Sequence, residues 1–327
     1  MERRTTLDIV ICTYNNAALL DRALAAISAQ RIPSGVEWQV LVVNNNCTDE
    51  TPQVVEQHER RNALPLRMVC ELRQGLTAAR VCGVRNTAGE WIAFVDDDCL
   101  LAGDWVEQAV RFAAEHPRCG AFGGQVSPEW ETPPPPFVLN HRYAYACKYH
   151  GETAHRRPWL AGAGMVVRRD ALDACGWTEK QFLADRTAGR LVSGGDMEIG
   201  LRIAAISEVW YNPACKLRHV IPQRRMSLDY LRRIVRGLGA SRHNASALTW
   251  RGSYAGWVLY SAAFSVGFGA LGALQLVRAL FNTRSGDVPL AFAPVRGWWS
   301  AMWEMSRMDA EERRQLIGCA ATSGRAN

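Results

Sequence analysis

The chain has no Cys-x-x-Cys pair and no compact cysteine cluster, although it holds ten cysteines in 327 residues. That scatter argues against a zinc module and against a disulfide framework, and the thiols are expected to be small buried residues of a reducing cytoplasm. The N-terminus lacks the long apolar run of a signal peptide, because Leu7–Cys12 gives way at once to Thr13 and Asn15, so the first domain is expected to stay in the cytosol. No Gly-x-Gly-x-x-Gly fingerprint follows that first apolar run, which argues against a dinucleotide cofactor. A basic, glycine-rich phosphate loop is missing there too, which argues against a nucleotidyltransferase. Low hydrophobicity is also absent: 48% of residues are hydrophobic and 21% charged, the proportions of a globular protein. The length suits one large α/β domain with an appendage, or two domains.

What is present centres on Gly89–Leu101, GEWIAFVDDDCLL. Trp91–Val95 is short, aromatic and β-branched, as in a buried strand, and it ends in three carboxylates. Two like charges about 4 Å apart cost roughly 4 kcal/mol at an effective dielectric near 20. A hard divalent cation such as Mg2+ or Mn2+ would relieve that repulsion and in turn hold a diphosphate. The plainer reading is a solvated turn before the helix that opens at Asp104 and Trp105.

Upstream, apolar runs alternate with helical patterns. Leu7–Cys12, Gln39–Val43, Leu66–Cys70 and Trp91–Val95 read as strands; Ala17–Gln30, Thr51–Arg60 and Leu76–Asn86 read as helices. This spacing predicts right-handed crossovers and a mostly parallel sheet, with ligands beyond the carboxyl ends of its strands. The polar segments Thr13–Asn16, Asn44–Asp49 and Asp96–Asp98 should therefore converge in one crevice. The Tyr of the first segment fits a nucleobase better than a pyrophosphate nest.

Cys119–Gly124 reads as another strand, and the proline run Pro133–Pro136 marks a break. The irregular stretch Phe137–Pro158, with Tyr143, Tyr145, Tyr149 and His150, reads either as lid packing or as the wall of an acceptor site. Gly162–Asp170 is a strand entered through glycines and followed by a short helix. In Ser193-Gly194-Gly195-Asp196-Met197-Glu198 an Asp stands at a helix start, where the dipole alone would favour it. Its alternatives are a simple cap and a functional acid.

In this order the motifs resemble those of glycosyltransferase family 2, the inverting transferases of the GT-A fold. The parts are Ile9-Val10-Ile11-Cys12-Thr13-Tyr14-Asn15, Val42–Asp49, Gln74–Arg80, Asp96-Asp97-Asp98, Gly162–Arg169 and Gly194–Glu198. The resemblance, which runs from about Leu7 to His219, implies a mostly parallel central sheet with flanking helices; the rest reads as a helical C-terminal appendage, so that the chain divides as 1–225 and 226–327. It implies that Thr13, Tyr14, Asn15 and Asn44 line the donor nucleotide, with Arg80 near the base or phosphates. Asp96 would approach the ribose, Asp98 would ligate Mg2+ or Mn2+, and Asp97 would lie between them. Asp196 would be the general base, and His219 would lie near the metal or diphosphate. Two departures stand out. Asn44 occupies a position where relatives usually have Asp, and Gly195 precedes Asp196 where they often have Glu, although Glu198 stands nearby.

The implied activity is transfer of a sugar, hexosyltransferase-like, from a nucleotide-diphosphate donor to a glycan or lipid-linked acceptor. The alternatives are a nucleotidyltransferase and an inactive scaffold that retains the fold. The net charge of +6 is concentrated in Arg224, Arg225, Arg232, Arg233, Arg236, Arg242 and Arg251. Ser227–His243 reads as a basic amphipathic helix, which suits an anionic membrane surface; no nucleic-acid partner is expected. Trp257–Val277 carries no charged side chain over a length that matches a bilayer core, and Val288–Met305 reads as interfacial. The region is expected on the cytoplasmic face of the membrane, peripheral or re-entrant, a buried core helix or dimer seam being the other reading.

Overall fold

A computed structural model of the chain describes residues 5–61, 63–183, 185, 191–192, 194–281 and 290–322. Ser193 of the acidic motif, and Val288 and Pro289 of the second apolar stretch, lie outside the described residues.

The chain alternates β1 (Thr5–Thr13), α1 (Ala17–Ser28), β2 (Val36–Asn44), α2 (Thr51–Arg60), β3 (Leu66–Cys70), α3 (Leu76–Arg85) and β4 (Trp91–Asp96). A short β5 (Cys99–Leu101), α4 (Trp105–Glu115) and β6 (Cys119–Trp130) follow. Next come α5 (Pro136–Asn140), a 3-10 turn at Arg142–Tyr145, β7 (His155–Arg156), β8 (Met165–Arg168), α6 (Arg169–Ala174), α7 (Gly195–Ala204) and β9 (Glu208–Ile221). The C-terminal part is helical: α8 (Leu228–Leu248), α9 (Tyr254–Phe281), α10 (Ala293–Ser306), α11 (Ala310–Leu316) and α12 (Cys319–Thr322).

One sheet runs β3-β2-β1-β4-β8-β6-β9-β5, with β7 on β9. Its first four strands are parallel; beyond β4 the sheet is mixed, because β8 enters antiparallel. Successive side chains of a strand point to opposite faces, and here both faces are covered. Trp91, Ala93 and Val95 join Leu20, Leu24 and Phe112 of α1 and α4 on one side. Ile92 and Phe94 join Ala79, Leu172 and Ile199 of α3, α6 and α7 on the other. This two-sided burial is why the strands read as near-continuous apolar runs.

Register sets the site. Cys12 pairs with Asp96 and Thr13 with Asn44, so β1, β2 and β4 end at one level and hand their polar loops to the same side. Asp8, buried near the other end of β1, accepts the backbone N–H of Ala88 and Gly89 and so anchors the start of β4.

Ser227 caps α8 by accepting the N–H of Tyr230, and the helix buries Leu231, Ile234 and Val235 against Tyr145, Ile221 and Met226. Arg232, Arg233 and Arg236 face solvent. The basic amphipathic helix is thus also a core-packed one. Its neighbour α9 is long and apolar enough to cross a membrane, by length and composition. Only 22% of its most apolar window is buried, so it is not a core helix of this chain.

Candidate active site

The acid triplet is not left to repel itself. Asp98 is buried and receives Arg225 Nη1 at 2.5 Å on Oδ2, with His219 Nε2 at 3.4 Å from the same oxygen. Burial alone would raise its pKa; the imidazole and guanidinium overcome that and hold the carboxyl well below the usual range. Asp97 has no such cation in contact among the described residues. Burial first, and the neighbouring Asp98 charge second, push it up to about 7, against hydrogen bonds from Thr13 Oγ1 at 2.7 Å and Asn16 Nδ2 at 2.8 Å. The ligand atoms of Asp96, Asp98 and Cys99 lie within 4.8 Å of one another.

His219 reaches Asp98 through strand register. It pairs with Cys99 across β5 and β9, and the Val220 N–H donates to the Asp98 carbonyl at 2.8 Å. Its Nδ1 meets the Tyr145 carbonyl at 2.8 Å, which turns Nε2 to the carboxylate.

Arg80 joins the triplet to the distant acid. Buried on α3, it lies 3.9 Å from Asp96 and 3.2 Å from Asp185, and Asp196 adds a third negative field. Asp196 sits in the first turn of α7, and its Oδ2 accepts the Gly162 N–H at 2.9 Å. A Cβ on Gly162 would come within 2.7 Å of Arg80 Nη2 and 3.0 Å of Asp196 Cβ, so this approach requires glycine. Lys148 is a further cation whose charge feels Asp196.

The nucleotide side is a crevice of about 420 Å³ lined by Thr13, Tyr14, Asn15, Asp96, Asp97 and Asp98 among others. Tyr14 is 43% exposed at its rim. Asn15 adopts a left-handed φ of 50° and accepts the Thr48 N–H at 2.7 Å, which ties the first two loops together. Asn44 is not on the lining: its Oδ1 accepts the Cys47 N–H at 2.8 Å within its own turn. Its neighbour Asn45 is, and Asn45 Oδ1 accepts the Gly75 N–H at 2.8 Å. Arg80 and His219 stand behind Asp96 and Asp98, and Asp196 lies beyond Arg80.

Sequence reasoning passed over Asn16, Asn45, Asp185, Arg225 as a partner of Asp98, and Tyr230. Asn16 and Asn45 sat inside polar loops already singled out, where their type was signal enough. Asp185 had none, yet its Oδ2 lies 2.4 Å from where a Cβ on Gly195 would be. A carboxylate from another loop thus takes up the space beside Asp196. Glu198 does not: it is buried, accepts the N–H groups of Phe182 and Leu183, and pairs with Arg202 at 3.0 Å.

Residues 8–175 match the family model of Glycosyl transferase family 2, about half of the chain. Succinoglycan biosynthesis protein ExoM of Rhizobium meliloti is 24% identical over 228 residues, 69% of this chain and 70% of the relative. A glucosyl-dolichyl phosphate glucuronosyltransferase of Haloferax volcanii is 22% identical over 232 residues, 69% of this chain and 72% of the relative. Among solved structures, the mannosyltransferase PcManGT of Pyrobaculum calidifontis, in complex with GDP-Man and Mn2+, superposes with a TM-score of 0.62 at 21% identity, covering 93% of this chain and 88% of the other. That likeness establishes the GT-A type fold.

Proposed function

This chain belongs to glycosyl transferase family 2 and is a sugar-transferring enzyme, and from that premise we propose a metal-dependent, inverting transfer from a nucleotide-diphosphate donor to a hydroxyl of a polysaccharide or lipid-linked acceptor. The observation that carries it is the single guanidinium, Arg80, on which Asp96 of the strand-end triplet and Asp196 of α7 both act. The names of ExoM and of the dolichyl phosphate relative support the acceptor class, and the GDP-Man and Mn2+ of PcManGT support the donor class and cation.

The donor set fits a hard cation. Asp96 and Asp98 offer carboxylate oxygens close together, and His219 Nε2 stands 3.4 Å from Asp98 Oδ2 at the edge of that pair. The thiol of Cys99, in the same cluster, is a soft donor and suits a hard cation less than the two carboxylates do. When bound, the ion supplies charge neutralisation on the departing diphosphate. Arg225 and Arg224 at the crevice wall add fixed positive charge for the same diphosphate. Tyr14, at the rim, stacks on the base. Asp196 accepts the proton of the attacking hydroxyl, and its hydrogen bond from Gly162 holds one oxygen while leaving the other to act. One base and one face of attack give inversion. We assign residues 1–225 to catalysis and 226–327 to a helical region on the cytoplasmic membrane face, carried by the exposed apolar side of α9.

A panel of nucleotide-diphosphate sugars, with Mg2+ or Mn2+ and then with a chelator, tests the reading. Release of free nucleoside diphosphate from one donor class, lost with the chelator, is expected. Failure to bind any nucleotide in the panel would leave the inactive scaffold as the better account.

A further inference from the structure

A second cavity, of about 640 Å³, lies apart from the donor crevice, between α5, α8, α9 and the start of α10. Its lining is divided by chemistry. Arg242 and Arg278, with Asn140 and Gln275, supply donors, while Phe268 and Leu271 supply an apolar wall; among the described residues no carboxylate lines it. Arg242 is held in place by stacking over the rings of Phe264 and Phe268, at 5.2 and 5.8 Å from their centroids. Two guanidiniums in a partly apolar cleft match a phosphate or diphosphate, which Arg can meet through paired N–H donors.

The setting of the cavity says what carries that phosphate. Leu271 both lines it and is 57% exposed, and it continues into the outward apolar stripe of α9, where Val266, Leu274 and Val277 are exposed. An anion attached to a hydrocarbon chain satisfies both halves at once. The cavity also shares α8 with the donor crevice and is tied to it by a second segment. α8 contributes Tyr230 to the crevice and Arg242 to the cavity, twelve residues apart and so about 18 Å along the helix. The segment that gives Tyr143 to the cavity continues to Tyr145, whose hydroxyl donates to the Arg225 carbonyl at 3.0 Å and whose carbonyl meets His219. A membrane lipid of no relation to the reaction would have no use for this continuity.

We propose that the cavity holds the phosphate-bearing head of a lipid-linked acceptor, with Arg242 and Arg278 on the phosphate and the hydrocarbon chain along α9. The inference rests on the transferase reading and specifies its acceptor as lipid-linked. The separation of cavity and crevice further requires a spacer, the sugar portion of the acceptor, between phosphate and accepting hydroxyl. The preceding reaction must therefore be one that places at least one sugar on a lipid phosphate.

The full chain, purified in detergent, is to be mixed with phosphatidylcholine vesicles doped with a long-chain isoprenyl diphosphate, and separately with phosphatidylglycerol. Arg242→Gln combined with Arg278→Gln should weaken binding to the isoprenyl diphosphate vesicles roughly tenfold or more, as expected for removing two charge-assisted contacts, and leave phosphatidylglycerol binding within about twofold. Arg278→Glu alone, a change at an exposed position, should weaken isoprenyl diphosphate binding in the same direction and guards against misfolding of the double variant. Equal loss on both lipids would reduce the arginines to general surface charge, and no loss on either would remove the site. Inorganic pyrophosphate competing at full strength would make it a free-anion pocket, and any of the three overturns the inference. Nucleotide affinity separates this failure from that of the transferase reading: the variants are expected to bind the donor as the wild type does, whereas a wild type that binds lipid but no nucleotide refutes the transferase and leaves the lipid site standing.

Discussion

At the scale of single residues the site is a set of acids kept apart by cations. Arg80 is shared by Asp96 and Asp185 and feels Asp196, so the proposed base, among the described residues, is oriented without an ion pair of its own. Asp196→Asn keeps the size and the hydrogen bond from Gly162 but removes the proton acceptor. Turnover should fall by roughly 100-fold or more, the usual worth of a general base, with donor affinity little changed; steady-state rates beside nucleotide titration decide it, and near-normal turnover would remove Asp196 from the role. On the proposed mechanism Asp185 is a positioning residue, acting through Arg80. Asp185→Ala frees Arg80 to swing toward Asp196, and kcat should drop by roughly 10- to 100-fold, as for a small misplacement of a catalytic group, while KM for the donor stays near its original value. A donor KM that rises as much as kcat falls would instead make Asp185 part of the nucleotide site.

At the scale of elements the C-terminal helices are joined by close glycine contacts as well as by the buried rings of Trp257 and Trp298. A Cβ on Gly297 of α10 would stand 1.8 Å from the Arg236 carbonyl oxygen of α8, and one on Gly239 of α8 would stand 2.0 Å from that of Pro294. Backbone cannot give way as a flexible side chain can. Gly297→Ala should therefore destabilise the fold by about 1–3 kcal/mol, read as an earlier urea midpoint, and an unchanged midpoint would show that the two helices can separate freely. Where the sequence was legible, the reason was periodicity: Leu7–Cys12 and Trp91–Val95 are buried on both faces, so their apolar runs had no competing reading once the acids followed. Pairings across loops were not legible. Arg225 reaches Asp98 only because β5 and β9 pair with Cys99 opposite His219, and no local pattern encodes that register. Asp185 meets Arg80 across 105 residues of chain, from a segment with no helical or strand period of its own. The Arg-rich helix was legible as amphipathic, but that its apolar side packs on Tyr145 and Ile221 follows from the fold alone.

At the scale of the whole molecule, α9 presents to solvent the side a soluble enzyme would cover. Its inner side is satisfied: Trp257 is buried, and Ser265 Oγ accepts the Trp298 indole N–H at 2.9 Å. Its outer side exposes Leu259 by 72%, Val266 by 75% and Leu280 by 64%, while Trp299 and Trp303 of α10 project as well. An apolar stripe of this length flanked by tryptophans matches the interface of a bilayer, and the exposed Arg232, Arg233 and Arg236 of α8 add attraction to anionic lipid. Hydrophobic seating and electrostatic docking differ in their response to salt, because screening shortens the reach of charge but leaves apolar burial intact. Binding to vesicles should therefore survive high salt and yield to detergent. Leu259→Glu with Val266→Glu places two carboxylates on the stripe, each costing about 2.5–3.5 kcal/mol if carried to the bilayer centre and less at the interface. Flotation of that variant should be lost while its nucleotide affinity, set in the distant crevice, stays the same. Release of the wild type by salt alone would instead assign membrane contact to the arginines of α8 and leave the apolar side of α9 to a protein partner.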